Sequence, residues 1–231
     1  MTKASGASAT CAFDLGCVRC ERLAAFLRDN RGRLPGYHNR PVPPFGSAAP
    51  RLLLVGLAPG LHGANRSGRP FTGDFAGLLL YETLFELGLA TRATSVALDD
   101  GLELKGVRIT NAVKCVPPQN KPTPAEIRSC NGYLATELGA LDSVRAILAL
   151  GRVAHDSVLM ALGLSRTANA FAHGAVHELS NGSSSSPRTL IDSYHCSRYN
   201  TQTRRLTTTM FRDVMRVAAS RAGLSPTGQR S

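Results

Sequence analysis

Apolar runs that alternate with helical segments predict an α/β fold, a three-layer α/β/α sandwich around a central four-stranded parallel sheet. Three observations carry this. Runs 51–57, 107–112, 144–150 and 189–193 are largely apolar, as strands buried on both faces require. Segments with helical features separate them. The loops that leave these runs, GLAPGLHG, NAVKCVPPQN, LALGRVAH and SYHCSRYN, hold most of the unusual residues of the chain. Ligands of parallel sheets bind there, beyond the carboxyl ends of the strands.

The elements follow in order. In CVRCERLAAFLRDN, residues 17–30, Leu23, Ala24, Phe26 and Leu27 share one helical face. The Pro/Gly-rich stretch 31–50 ends that helix and reads as a connector without regular structure. After the first strand come a glycine-rich loop and a helix over 75–88. The second strand runs into VKCVPPQNKPTP, and then Thr123 as N-cap with Glu126 three residues on opens a helix. The third strand leads through Gly151 into a helix that reaches about residue 162. NGSSSSP, residues 181–187, reads as a mobile surface loop before the fourth strand. A last helix covers about 203–222, and residues 1–16 and 223–231 read as flexible tails of a single domain.

With 27 Lys and Arg against 16 Asp and Glu, the formal charge is +11. A small basic domain points to nucleic acid, because cationic side chains release the counterions of phosphates. The plainer alternative is a solvated basic surface with no specific partner. No apolar run is long enough to span a membrane, and MTKASGASATCAFDLG lacks the apolar centre of a signal peptide. The expected location is cytoplasmic. Six cysteines, at 11, 17, 20, 115, 130 and 196, then argue for metal or cluster ligation rather than disulfides. Cys17-x-x-Cys20 and Cys115-x14-Cys130 could hold zinc or part of an iron–sulfur site; buried, unligated thiols are the other reading. A nucleotide-using α/β enzyme ranks last, since neither a Walker A sequence nor a full G-x-G-x-x-G follows the first strand.

The loop GLAPGLHGANRSGRPFTGDFAG, residues 56–77, contains six glycines and one carboxylate, Asp74. Together with TNAVKCVPPQNKP, HCSRYNTQTRRLT and the set Cys17, Cys20, Cys115 and Cys130, it resembles the uracil-DNA glycosylase superfamily, most of all family 5, the B-type enzymes with an iron–sulfur cluster. The resemblance runs from Cys17 to about Arg216. It implies a structural [4Fe–4S] cluster on the four cysteines, with zinc left as the alternative from spacing. It also implies a DNA partner containing uracil or other deaminated bases, a monomer, and a prokaryotic, nucleoid-associated location. The activity it implies is hydrolysis of the N-glycosidic bond of a flipped base, leaving an abasic site.

The residues suit that chemistry. Phe71 can stack on a base, or simply plug the loop. Asn111, at a strand end, offers an amide to the amide edge of uracil, or caps the strand. His195 can donate to a base oxygen while neutral. Backbone around Gly56, Ala58 and Gly60 can approach the base closely. Asp74 can position or activate water, stabilise the sugar cation, or cap the next helix. Ser197, Arg198, Asn200 and Thr201 are candidates for phosphates beside the flipped nucleotide, with Arg66, Arg69, Lys114 and Lys121 behind them. The chain departs from the resemblance at Cys196, where Pro is frequent, and at Arg204, where Gly is common. In family 4 an acid usually stands at the position of Leu57. That leaves a rival reading, a catalytically weak binder of uracil or abasic sites, and a second, a cluster-bearing structural or redox module. No role is assigned to His62, Cys11 or Cys196.

Overall fold

The computed structural model describes residues 13–179 and 188–224. The four expected strands are present as β2 (Leu52–Gly56), β3 (Val107–Asn111), β4 (Ala146–Leu150) and β6 (Arg188–Ser193), mutually parallel. Two further strands make the sheet six-stranded, in the order β1-β3-β2-β4-β6-β5. Both are antiparallel edges: β1 (Phe45–Gly46) on β3 and β5 (Val176–Leu179) on β6. The sequence hid them for physical reasons. β1 is two residues within the supposed unstructured connector, and β5 is mostly solvent-facing, so neither needs an apolar run.

The seven helices are α1 (Glu21–Arg33), α2 (Ala64–Ser67), α3 (Phe75–Glu86), α4 (Pro124–Ala140), α5 (Arg152–Ala161), α6 (Arg198–Gln202) and α7 (Thr208–Arg221) among the described residues. Along β2, Leu52 and Leu54 pack with Leu80 and Leu84 of α3 and Phe211 and Met215 of α7. Leu53 and Val55 pack on the opposite face with Leu134 and Leu138 of α4 and Val158 of α5. The expected three layers result. Each of these buried aliphatic side chains contributes about 1.5–3 kcal/mol through removal from water.

A third, smaller core joins α1 to the rest. Leu23 and Leu27 meet Val113, Val116 and Tyr133, with Cys115 and Cys130 among them. Arg22 closes this interface by a two-point ion pair with Glu126, both contacts at 2.7 Å. Glu126 also completes the capping box with Thr123 that opens α4.

Two boundaries differ from expectation. The last helix starts at Thr208, capped by Thr207, because α6 ends at Thr203 and Arg204 then takes a φ of 56°. Residues 13–16 and 223–224, counted with the tails, are described: the Phe13 ring meets Tyr133 edge-on at 5.5 Å, and Leu224 packs on the α7 side of the sheet. The remaining tail residues, the 181–187 loop and Cys11 lie outside the described residues. Among the described residues no helix is long and apolar enough to cross a membrane.

Beneath the sheet edge lies a buried charge cluster. Glu137 of α4 accepts from Arg108 Nε at 2.9 Å and Thr110 Oγ1 at 2.9 Å, and pairs with Lys114 Nζ at 3.2 Å. Burial alone would favour the neutral acid, but Lys114 and Arg108 outweigh it and hold the Glu137 carboxyl below its ordinary range. Lys114 is only 2% exposed, so it depends on this partner. Glu137→Leu is therefore expected to destabilise the protein by about 3–5 kcal/mol in denaturant titration, by stranding buried cations. Lys114→Met combined with Glu137→Leu is expected to recover part of that loss.

Candidate active site

Parallel pairing brings the carboxyl ends of β2, β3 and β6 to one edge. There a pocket of about 430 Å³ is lined by Ala58, Gly60, Phe71, Asp74, Asn111, His195, Ser197 and Arg198, all anticipated from the sequence. Gly56 stands behind it as the register partner of Asn111. A Cβ at Gly56 would sit within 2.8 Å of the Phe71 ring and closer still to Asn111 Oδ1. The missing side chain is thus the space in which amide and ring meet.

Phe71 holds a φ of 55°, uncommon for a bulky residue and costing about 1–3 kcal/mol. Its ring lies nearly parallel to His195, with centroids 5.9 Å apart and planes 25° apart. Burial lowers the His195 imidazole to about 4, so the ring is neutral at physiological pH. The backbone carbonyl of His195 accepts from Asn200 Nδ2 at 2.8 Å. Asn111 is buried, and no described protein group hydrogen-bonds its side-chain amide, which faces the pocket.

Asp74 does two things with two oxygens. As N-cap of α3 its Oδ1 accepts from the Gly77 N–H at 3.0 Å. Its Oδ2 lies against Gly60 and Gly63, where a Cβ at Gly63 would come within 2.5 Å. Burial raises the carboxyl above its ordinary value; the N–H groups of Gly77 and Ala76 offset part of this. The result is a carboxylate more basic than one in water.

The phosphate candidates differ in how they are held. Asn200 is used on His195, and Thr201 Oγ1 donates to Ser197 O at 3.2 Å. Neither lines the pocket. Ser197 caps α6 and lies at the pocket wall. Arg198 is exposed there, its guanidinium 5.2 Å over the Phe75 ring. Arg69 and Lys114 are buried in ion pairs and cannot reach solvent phosphates. Arg66 and Lys121 remain exposed. His62, for which the sequence offered no role, is exposed and hydrogen-bonded to Tyr37 at 3.0 Å.

The structure adds Leu57, Ala64, Phe75, Ala76 and Asn120 to the pocket. Asn120 sits at φ 57° after Gln119 at 56°; an Asn behind a Pro-Pro pair, tolerant of that conformation, was the available signal. Tyr199, 70% exposed on α6 beside Arg198, was also missed. A lone aromatic among polar residues carries no periodic signal.

Beyond β6, His155 and His177 both bind the buried Asp192, at 2.7 and 3.1 Å. Nε2 of His155 faces the carbonyl of Asn169 at 2.9 Å. Both its nitrogens meet acceptors, which requires the charged imidazolium. Burial pulls its pKa down, but Asp192 outweighs that and the net shift is upward. These hydrogen bonds explain the trio without a metal.

Cys17, Cys20, Cys115 and Cys130 line a small cavity with Tyr133, Lys114 and Pro41. Cys130 Sγ accepts from the Lys114 N–H at 3.3 Å. Burial, and then the other three sulfurs, raise the Cys115 thiol to about 12. Two buried and two half-buried cysteines that raise one another's pKa are a poor arrangement for a core and a suitable one for a cationic centre. Zinc at about 2.3 Å from each sulfur would set them about 3.8 Å apart. Among the described residues, His155, His177 and Asp192 bring three possible ligand atoms within 4.8 Å of one another.

The fold and site together define an α/β enzyme with a pocket at the carboxyl edge of the sheet, lined by a ring, an amide and a neutral imidazole. The family model for the Uracil DNA glycosylase superfamily matches residues 43–219, and the chain belongs to that superfamily. A type-5 uracil-DNA glycosylase of Thermus thermophilus is 48% identical over 213 residues, covering 90% of this chain and 94% of that one. One from Pyrobaculum aerophilum is 42% identical over 213 residues, 90% of each. A type-4 uracil-DNA glycosylase of Archaeoglobus fulgidus is 34% identical over 139 residues, 60% of this chain and 62% of that one.

His195 and His155 are expected to show pKa values shifted in opposite directions in an NMR pH series. His195 should stay neutral until about pH 4, and His155 should stay charged above pH 6.5. By linkage, the His195 contribution is intact above about pH 6.5 and is lost as pH falls toward its folded value. The His155 contribution is present below about pH 6.5 and is lost as pH rises through its own raised value.

Proposed function

We propose that this protein is a DNA repair glycosylase that hydrolyses the N-glycosidic bond of uracil in DNA and leaves an abasic site. One observation carries the reading: a single pocket combines a half-buried carboxylate with one oxygen set against glycines, a neutral imidazole, an unpaired amide and an aromatic ring.

The base leaves the duplex and enters this pocket. Phe71 stacks on its face, and Asn111 pairs with its amide edge. As the bond from C1′ to the base nitrogen breaks, its electron pair goes to the base. His195 donates a hydrogen bond to a base carbonyl oxygen that gains charge. Neutrality matters here, because the imidazole keeps a donor without burying a cation. Asp74 stabilises the sugar cation, orients a water and takes its proton as the new C1′–O bond forms. Its raised basicity favours that acceptance. Ser197 and Arg198 hold phosphate beside the extruded nucleotide, and Tyr199 is placed to contact neighbouring bases. Net charge +11 favours the duplex as partner.

Cys17, Cys20, Cys115 and Cys130 hold a [4Fe–4S] cluster that ties α1 to α4 and takes no part in the reaction. About four irons per chain and broad visible absorbance are expected, and Cys17→Ala should remove both and loosen α1. Zinc without iron in the purified protein would replace this assignment. The protein acts as one domain, as a monomer, in the cytoplasm of a prokaryotic cell at the nucleoid.

The walls at Ala58, Gly60 and Ala64 are small, which leaves room for hypoxanthine and 5-hydroxymethyluracil. Base release from oligonucleotides carrying each lesion tests the breadth; release of uracil alone would restrict the enzyme to it. In the same assay Asp74→Asn is expected to lose at least about a hundredfold, the scale of lost general-base help. The absence of a second carboxylate, with Leu57 at the pocket wall, favours one other reading, a binder without turnover. Wild-type protein that binds the uracil duplex and releases no base would establish it.

A further inference from the structure

Phe71 keeps an unfavourable backbone conformation, and contacts outside the pocket hold the turn that carries it. What enforces it lies behind the pocket, in the turn 69–72 and in the segment 95–100, which belongs to none of the motifs that carry the family resemblance.

Arg69 is 1% exposed, with its guanidinium 4.3 Å over the Phe45 ring. One arm donates to Asp100 Oδ1 at 2.8 Å and Ser95 Oγ at 2.9 Å; the other donates to Leu98 O at 2.6 Å. Asp100 is fastened in turn by the N–H groups of Val96, Ala97 and Leu102 at 2.8, 3.2 and 3.0 Å. Burial would favour its neutral acid, yet Arg69 and these N–H groups hold it ionised. Ser95 Oγ also meets Thr72 Oγ1 at 2.6 Å. The residues on either side of Pro70–Phe71 are therefore fixed to one rigid segment.

Three further contacts leave the turn no alternative. Tyr81 donates to Pro70 O at 2.8 Å, Ser67 Oγ donates to Thr72 O at 3.1 Å, and the Phe71 carbonyl occupies the space where Gly77 lacks a Cβ. A buried ion pair is weak evidence for added stability. What the Arg69–Asp100 fork supplies is geometry, since a planar guanidinium fixes direction as well as distance.

The geometry assigns Asp100, with Arg69 and Ser95, the role of positioning residues for Phe71, a clamp outside the pocket that keeps the stacking ring over the base. This rests on the reading of Phe71 as the base-stacking ring. The clamp touches no substrate and acts only through that ring.

A double-mutant cycle on the full-length protein tests it, with kcat/KM for uracil release and affinity for an abasic-site duplex as readouts. Asp100→Asn is expected to lower kcat/KM at least about tenfold, since small misplacements of a positioned group cost this much. In the Phe71→Ala background the same change should cost no more than about twofold, because the two act as one unit. Affinity for the abasic duplex, which offers no base to stack on, should stay within about twofold of wild type. Ser95→Ala cuts only the hydroxyl link to Thr72 and Arg69, and should show the same dependence on Phe71 if Asp100→Asn fails to fold. Losses that multiply independently, equal losses in abasic binding, or full activity of Asp100→Asn or Ser95→Ala would each overturn the clamp. Wild-type release by Phe71→Ala would first overturn the stacking role, and the clamp with it.

Discussion

The site depends on a packing constraint at the end of β2. Gly56 pairs in register with Asn111, and its absent Cβ leaves the volume shared by the Asn111 amide and the Phe71 ring. Any side chain there would push one of them away. Phe71 must then turn back at positive φ to reach that volume, and its ring meets His195 from the end of β6. Three elements distant in sequence meet because a parallel sheet presents all its carboxyl ends on one side. The glycine loop is thus explained less by flexibility than by close approach, at Gly56 to a ring, at Gly63 to Asp74 and at Gly77 to a carbonyl.

Buried charge organises the surroundings of this edge. Glu137 with Lys114 and Arg108 sits under β3, and Asp100 with Arg69 sits behind the turn that carries Phe71. Neither group is a surface feature, although Lys and Arg in loops after strands looked suited to phosphates. The desolvation of such pairs offsets much of their attraction. Their effect is to define orientation, and they do so for the two segments that flank the pocket.

A single acid in the motif loop is sufficient because Asp74 divides its two oxygens. One is engaged by the first turn of α3, which fixes the side chain; the other stays free between glycines. Capping α3 is thus what fixes the carboxylate at the pocket wall. A second carboxylate at Leu57, on the same pocket wall, would set a like charge near the first.

By itself the sequence determined the positions and parallel direction of the four inner strands, the capping box at Thr123, the spacing of the four cysteines and most of the pocket's lining. These are local in origin: apolar runs, caps and loops at strand ends leave a mark within a few residues. Tertiary structure alone decided the rest. The edge strands β1 and β5 exist only because β3 and β6 offer free backbone groups to pair with. The burial of Arg69 and Lys114 depends on Asp100 and Glu137, 31 and 23 residues away, and no local pattern reports a partner at that distance. The same is true of the depressed pKa of His195 and the raised one of His155, since both residues are identical in sequence terms and differ only in what the fold sets around them.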